Sequence, residues 1–124
     1  MKKLYETTVI NQDGLEGYVT VDTGYRFQTS AVKDQSPTIT NPEQLIAAAW
    51  ATCLNATIQS ILKAKNLNLK SKVEVNVTLN FHEVTRLQFD LLAKASIESL
   101  SIDEATKIVM SADKFCPVSK LISE

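Results

Sequence analysis

The stretch Thr40 to Leu67, TNPEQLIAAAWATCLNATIQSILKAKNL, decides the fold, because it predicts one long helix carrying Cys53 near its middle. Asn41 is a strong N-cap residue, Pro42 suits the first helical position where a missing N–H costs nothing, and Gln44 completes a capping-box spacing. From Leu45 to Leu62 the apolar residues do not keep to one stripe. Leu45, Ile46, Trp50, Leu54, Ile58, Ile61 and Leu62, with five alanines, cover most of the circumference, which predicts burial on several sides. The alanines leave room for a close neighbour, either a second helix or a second copy of the chain.

Outward from this helix the rest of the chain reads as strands and one further helix. Ahead of it, Leu4 to Ile10, Tyr18 to Asp22 and Tyr25 to Ala31 read as three strands of an antiparallel meander, joined by the turns Asn11-Gln12-Asp13-Gly14 and Asp22-Thr23-Gly24. Val32 to Thr40 has no apolar periodicity and reads as a loop. Behind the helix, Val73, Val75, Val77, Leu79 and Phe81 alternate with polar residues over Lys72 to His82, and Leu87 to Ile97 repeats the period of two. Ser101-Ile102-Asp103-Glu104 is a capping box opening an amphipathic helix to about Lys114, stopped by Pro117 after Cys116. The order βββ-α-ββ-α predicts an α+β fold with antiparallel sheets enclosing the long helix. One small sheet and one short helix cannot cover such a helix, so a homodimer is expected.

Composition narrows the function. At 124 residues the chain is expected to be a single domain, 1–124. Its formal charge of −1 gives no basic footprint for nucleic acid or anionic lipid. The run Leu45 to Leu54 is about half the length of a membrane span, so no membrane partner is expected. The start MKKLYETTV has no apolar run behind its lysines and is not expected to be a signal peptide, which points to the cytoplasm. In a reducing compartment the two cysteines read either as buried apolar filler or as redox chemistry. Cys53 and Cys116 are the credible nucleophiles at neutral pH; attack on a peroxide needs a thiolate and a second thiol to resolve the sulfenic acid. Cys116 is placed either to donate to the backbone at its helix end or to meet Cys53, if the two Cβ atoms come within about 4 Å. No metal or nucleotide cofactor is expected: His82, the sole histidine, falls on a polar strand face without a ligand partner, and the three glycines form no phosphate loop.

The string Asn41-Pro42-Glu43-Gln44-Leu45, then Ala47-Ala48 and Cys53, together with Cys116-Pro117-Val118-Ser119 after an amphipathic helix, resembles the OsmC/Ohr family of osmotically inducible and organic hydroperoxide resistance proteins. The resemblance runs from the first strand to Leu121. It implies an intertwined α+β homodimer with two long helices at its centre, and cysteine-based reduction of peroxides, organic ones preferred. It makes Cys53 the peroxidatic thiol, Cys116 the resolving thiol, an external dithiol the reductant, and Glu43 the active-site glutamate. On a helical rise Glu43 and Cys53 are about 15 Å apart, so Glu43 would serve the site of the other subunit; alternatively it simply complements the helix dipole. Trp50, one turn before Cys53, suits an aromatic wall for an apolar peroxide, or core packing.

Two departures from the family pattern stand out. The family arginine between the first two strands falls at Gly14 or Leu15 here, leaving Arg26 as the candidate substitute against its reading as a solvated strand-face residue. The strand that usually follows the second cysteine motif is expected to be missing, which would leave a sheet edge open. A catalytically weak dimer that binds a hydrophobic small molecule, or a redox sensor, is the alternative that the absent arginine favours.

Overall fold

The computed structural model describes residues 1–34 and 36–123; Gln35 of the predicted loop and the terminal Glu124 lie outside the described residues. The chain forms two compact units, Met1–Leu45 and Ile46–Glu124.

The first unit is a three-stranded antiparallel sheet, β1 (Val9–Asn11), β2 (Gly17–Val21) and β3 (Arg26–Thr29), in the order β1-β2-β3. The register sets Val9 against Val21 and Tyr18 against Gln28. The first strand is shorter than its composition predicts: its register with β2 begins at Val9 opposite Val21, and beyond it Thr8 accepts the Asp22 N–H at 3.0 Å where the chain turns away from β2. Thr7 and Thr8 also donate to the Asp22 carboxylate, both at 2.9 Å. Asn11 closes the first turn by accepting the Gly14 N–H at 2.7 Å, with Gly14 at φ 80° where a side chain would be strained. In the predicted loop, Val32–Asp34 makes one 3₁₀ turn, and the Thr40 N–H donates to the Gln28 carbonyl at 3.0 Å.

Helix α1 (Pro42–Ala64) starts as its sequence predicts, with the Asn41 side chain accepting the Gln44 N–H at 2.8 Å. The Gln44 side chain accepts from Thr40 Oγ1 at 2.9 Å. At its other end Asn66, at φ 59°, reverses the chain so that the Leu67 N–H reaches the Leu62 carbonyl. In the single chain only Leu54, Ile58 and Leu62, one stripe at a spacing of four, are fully buried. The helix is long and apolar enough to cross a bilayer by length and composition alone, although in the sequence its continuous apolar run is short.

The second unit places β4 (Ser71–His82) and β5 (Arg86–Ile97) in an antiparallel hairpin beside this stripe, with Val73 opposite Ala95 and Phe81 opposite Leu87. Asn55 of α1 ties to the start of β4 by accepting the Ser71 hydroxyl at 2.7 Å. Helix α2 (Ile102–Phe115) carries the predicted capping box: Ser101 accepts the Glu104 N–H, and the Glu104 carboxylate accepts back from Ser101. A six-residue helix, α3 (Pro117–Ile122), follows where no helix was predicted. The core joins Leu54, Ile58 and Leu62 of α1 to Ile97, Ile108, Ala112 and Cys116. The α+β class, the antiparallel sheets and the order βββ-α-ββ-α are as expected, with α3 added; among the described residues no strand follows Cys116.

Candidate active site

Cys116 stands at the junction of α2 and α3 because proline follows it. Pro117 disfavours helical angles at Cys116, which takes φ −68° and ψ 120°, and at the same time supplies a good first residue for the next helix. The one residue therefore closes α2, donating its N–H to the Ala112 carbonyl at 2.8 Å, and opens α3, its Sγ accepting the Ser119 N–H at 3.4 Å. Its side chain is completely buried.

Cys53 lies on the α1 face that packs against the same core and is half-buried. The two thiols are free and are close enough to influence each other's ionisation, and the Val118 backbone N–H favours the charged form of both. Their surroundings drive them apart in acidity. Burial pushes the Cys53 thiol above its ordinary value; the Val118 N–H opposes this, and Cys116 with its charge adds to it. Burial also acts to raise Cys116, but the Ser119 hydroxyl and N–H, the Cys53 thiol and the Val118 N–H together bring it below its ordinary value. Within the described residues of this unit no lysine or arginine contributes to the Cys53 shift.

Trp50 completes the group. Its indole Nε1–H donates to Ser119 Oγ at 2.8 Å, and the ring packs on the core beside Cys53. Ser119 was not singled out from sequence, although its place three residues after a residue that opens a helix is where an N-cap finds its backbone partner. The structure thus brings together Cys53, Cys116 and Trp50 and adds Ser119. Glu43 and Arg26 belong to the first unit. Glu43 is half-buried in the first turn of α1. Arg26 is exposed on β3 with its guanidinium carbon 3.9 Å from the centre of the Tyr18 ring, a cation–π pair on the strand face. His82 is exposed and caps the hairpin turn, its Nδ1 accepting the Val84 N–H at 3.1 Å. Among the described residues no group of three acidic, cysteine or histidine side chains is placed to hold a metal ion.

A long helix and a second helix end that set two free thiols in contact define an α+β protein built around a dithiol centre. The chain belongs to the OsmC-like protein family, whose model matches residues 33–124. It is 34% identical to organic hydroperoxide resistance protein-like 1 of Staphylococcus epidermidis, over 94% of this chain and 86% of that protein. The crystal structure of the organic hydroperoxide resistance protein OhrB of Bacillus subtilis is similar, with a TM-score of 0.83 at 29% identity, over 96% of this chain and 91% of that one. An organic hydroperoxide resistance protein OsmC from Legionella pneumophila superposes with a TM-score of 0.88 at 26% identity, over 98% and 91% of the two chains.

Proposed function

We propose that this chain is a thiol-dependent peroxidase that reduces organic hydroperoxides through Cys53 and Cys116, working as a homodimer in the cytoplasm. The observation that carries the reading is the contact between the two thiols, which lets an oxidation at one pass to the other without a large backbone movement. The names of its relatives, organic hydroperoxide resistance proteins, support the substrate class.

Cys53 is the thiol that meets substrate, because it is half-buried whereas Cys116 is sealed in the core. Cys116 is the more acidic thiol of the pair, so once it has lost its proton it is the neighbouring base that takes the Cys53 proton as Cys53 attacks. The Cys53 sulfur displaces the alkoxide from the distal peroxide oxygen; the alkoxide leaves as the alcohol with a proton, and Cys53 is left as the sulfenic acid. Cys116 then attacks that sulfur, water departs, and a disulfide forms for an external dithiol to reduce. Glu43 enters from a second copy of the chain.

One equivalent of an organic hydroperoxide is expected to remove two hydrogens from the intact protein by mass spectrometry, and to leave Cys53→Ser without that loss. Two unmodified thiols after prolonged exposure would overturn the reading. A second reading has its own support, the raised Cys53 thiol with no cation from its own unit acting on it: a slow or inactive dimer that binds an apolar small molecule. In that case apolar ligand binding persists while peroxide leaves both thiols untouched.

A further inference from the structure

Ser119 stands between Trp50 and Cys116, and its hydroxyl has one proton to give. The Trp50 indole is only a donor, so its Nε1–H, 2.8 Å from Ser119 Oγ, occupies a lone pair of that oxygen and cannot take the hydroxyl proton. The same residue serves Cys116 Sγ, which accepts the Ser119 N–H at 3.4 Å, and the Ser119 hydroxyl favours the Cys116 thiolate. Ser119 and Cys116 are both buried, so water does not compete for these bonds. The chain of donors from Trp50 through Ser119 ends on one sulfur of the pair. Cys53, one helical turn beyond Trp50, receives none of it.

We propose that Trp50 is a positioning residue acting through Ser119, which holds Cys116 as the departing thiolate and so directs the external reductant to the Cys53 sulfur. The inference rests on the dithiol reading above and adds the polarity of its second half. A reductant thiolate attacks Cys53 Sγ, the bond between Cys53 and Cys116 breaks, and its electron pair leaves with Cys116, stabilised by the Ser119 hydroxyl and N–H. The reductant's second thiol, deprotonated, then attacks its own sulfur in the mixed disulfide. Cys53 leaves as a thiolate and takes up a proton, and the reductant, oxidised by two electrons, departs as a disulfide. Access and leaving ability agree: the half-buried sulfur is the one attacked, and the sealed, hydrogen-bonded one departs.

The test needs no peroxide, which separates its failure from failure of the peroxidase reading. The disulfide is formed in the full chain with diamide, excess 2-mercaptoethanol is added, free thiols are alkylated, and the mixed disulfide is located by peptide mass. The adduct is expected on Cys53, with Cys116 alkylated; an adduct on Cys116 overturns the proposal. Trp50→Phe should slow adduct formation about three- to tenfold, the worth of one neutral hydrogen bond, and Ser119→Ala about tenfold or more, the worth of one to a charged group, while the double variant is no slower than Ser119→Ala. Trp50→His, which restores a ring N–H, should recover part of the rate. In a Cys53→Ser chain the ultraviolet titration of the remaining thiolate should move to higher pH with Ser119→Ala. An unmoved titration there overturns the proposal even if the Trp50 variants fail to fold.

Discussion

Two neighbouring sulfurs in a partly dry site are shifted in opposite directions, and this gives them opposite effects on stability. Cys53 is raised in the folded chain, so its contribution is fully present below the ordinary thiol value of about 8.5 and is lost as pH rises through its higher folded value. Cys116 is lowered, so its contribution is present above that ordinary value and is lost as pH falls through its lower folded value. Urea midpoints across a pH series should therefore show the gap between wild type and Cys53→Ala shrinking above about pH 8.5, and the gap to Cys116→Ala growing as pH rises toward it. Slopes of the reverse sign would mean that the Ser119 bonds do not favour the Cys116 thiolate. The residue scale also marks where sequence reading stopped. Cys53, Cys116 and Trp50 were legible as candidates, but the bond from Trp50 to Ser119 spans α1 and α3, and no local pattern encodes a contact between such distant positions.

At the scale of elements, α1 packs on the rest of its own unit through a single stripe, and Ile58 at its centre is wholly buried among side chains of the same core. Ile58→Ala is expected to cost about 2–5 kcal/mol by removing packed methyl groups and leaving a cavity. Chemical denaturation should show a lower midpoint at unchanged slope; a loss below about 1 kcal/mol would mean the stripe can collapse around the gap. The elements that could be read in advance are those whose signal is local. Asn41 with Pro42 wrote the start of α1, Ser101 with Glu104 wrote the start of α2, and the alternation from Val73 to Phe81 wrote β4. Helix α3 escaped because its cap is a cysteine, outside the usual set of capping residues, and six residues are too few to display a period. Composition alone overextends the first strand because it cannot say where its partner ends.

The whole molecule is set by what one chain leaves uncovered. The register of β4 and β5 puts Val73, Val75, Val77, Leu79 and Phe81 on one face with Ala95, Ala93, Leu91, Phe89 and Leu87. Near the core that face is half-buried, but Phe81 and Leu87 at its far end are 62% and 67% exposed, and the α1 residues outside the Leu54–Ile58–Leu62 stripe are also incompletely covered. Apolar area left open on both a helix and a sheet end is what a second copy would bury, and a two-fold pair would do so with the same patch on each chain. Light scattering is expected to give twice the chain mass of 13.7 kDa for wild type. Phe81→Glu, which puts a charge where a partner's apolar surface would lie, should shift the protein to monomer without unfolding the hairpin, because the side chain already faces solvent in the single chain. If Glu43 reaches Cys53 only from a second copy, the same variant should also slow peroxide-driven disulfide formation. A monomer that forms the disulfide at the wild-type rate would remove Glu43 from the mechanism, and a wild-type monomer would leave the apolar face without its occupant.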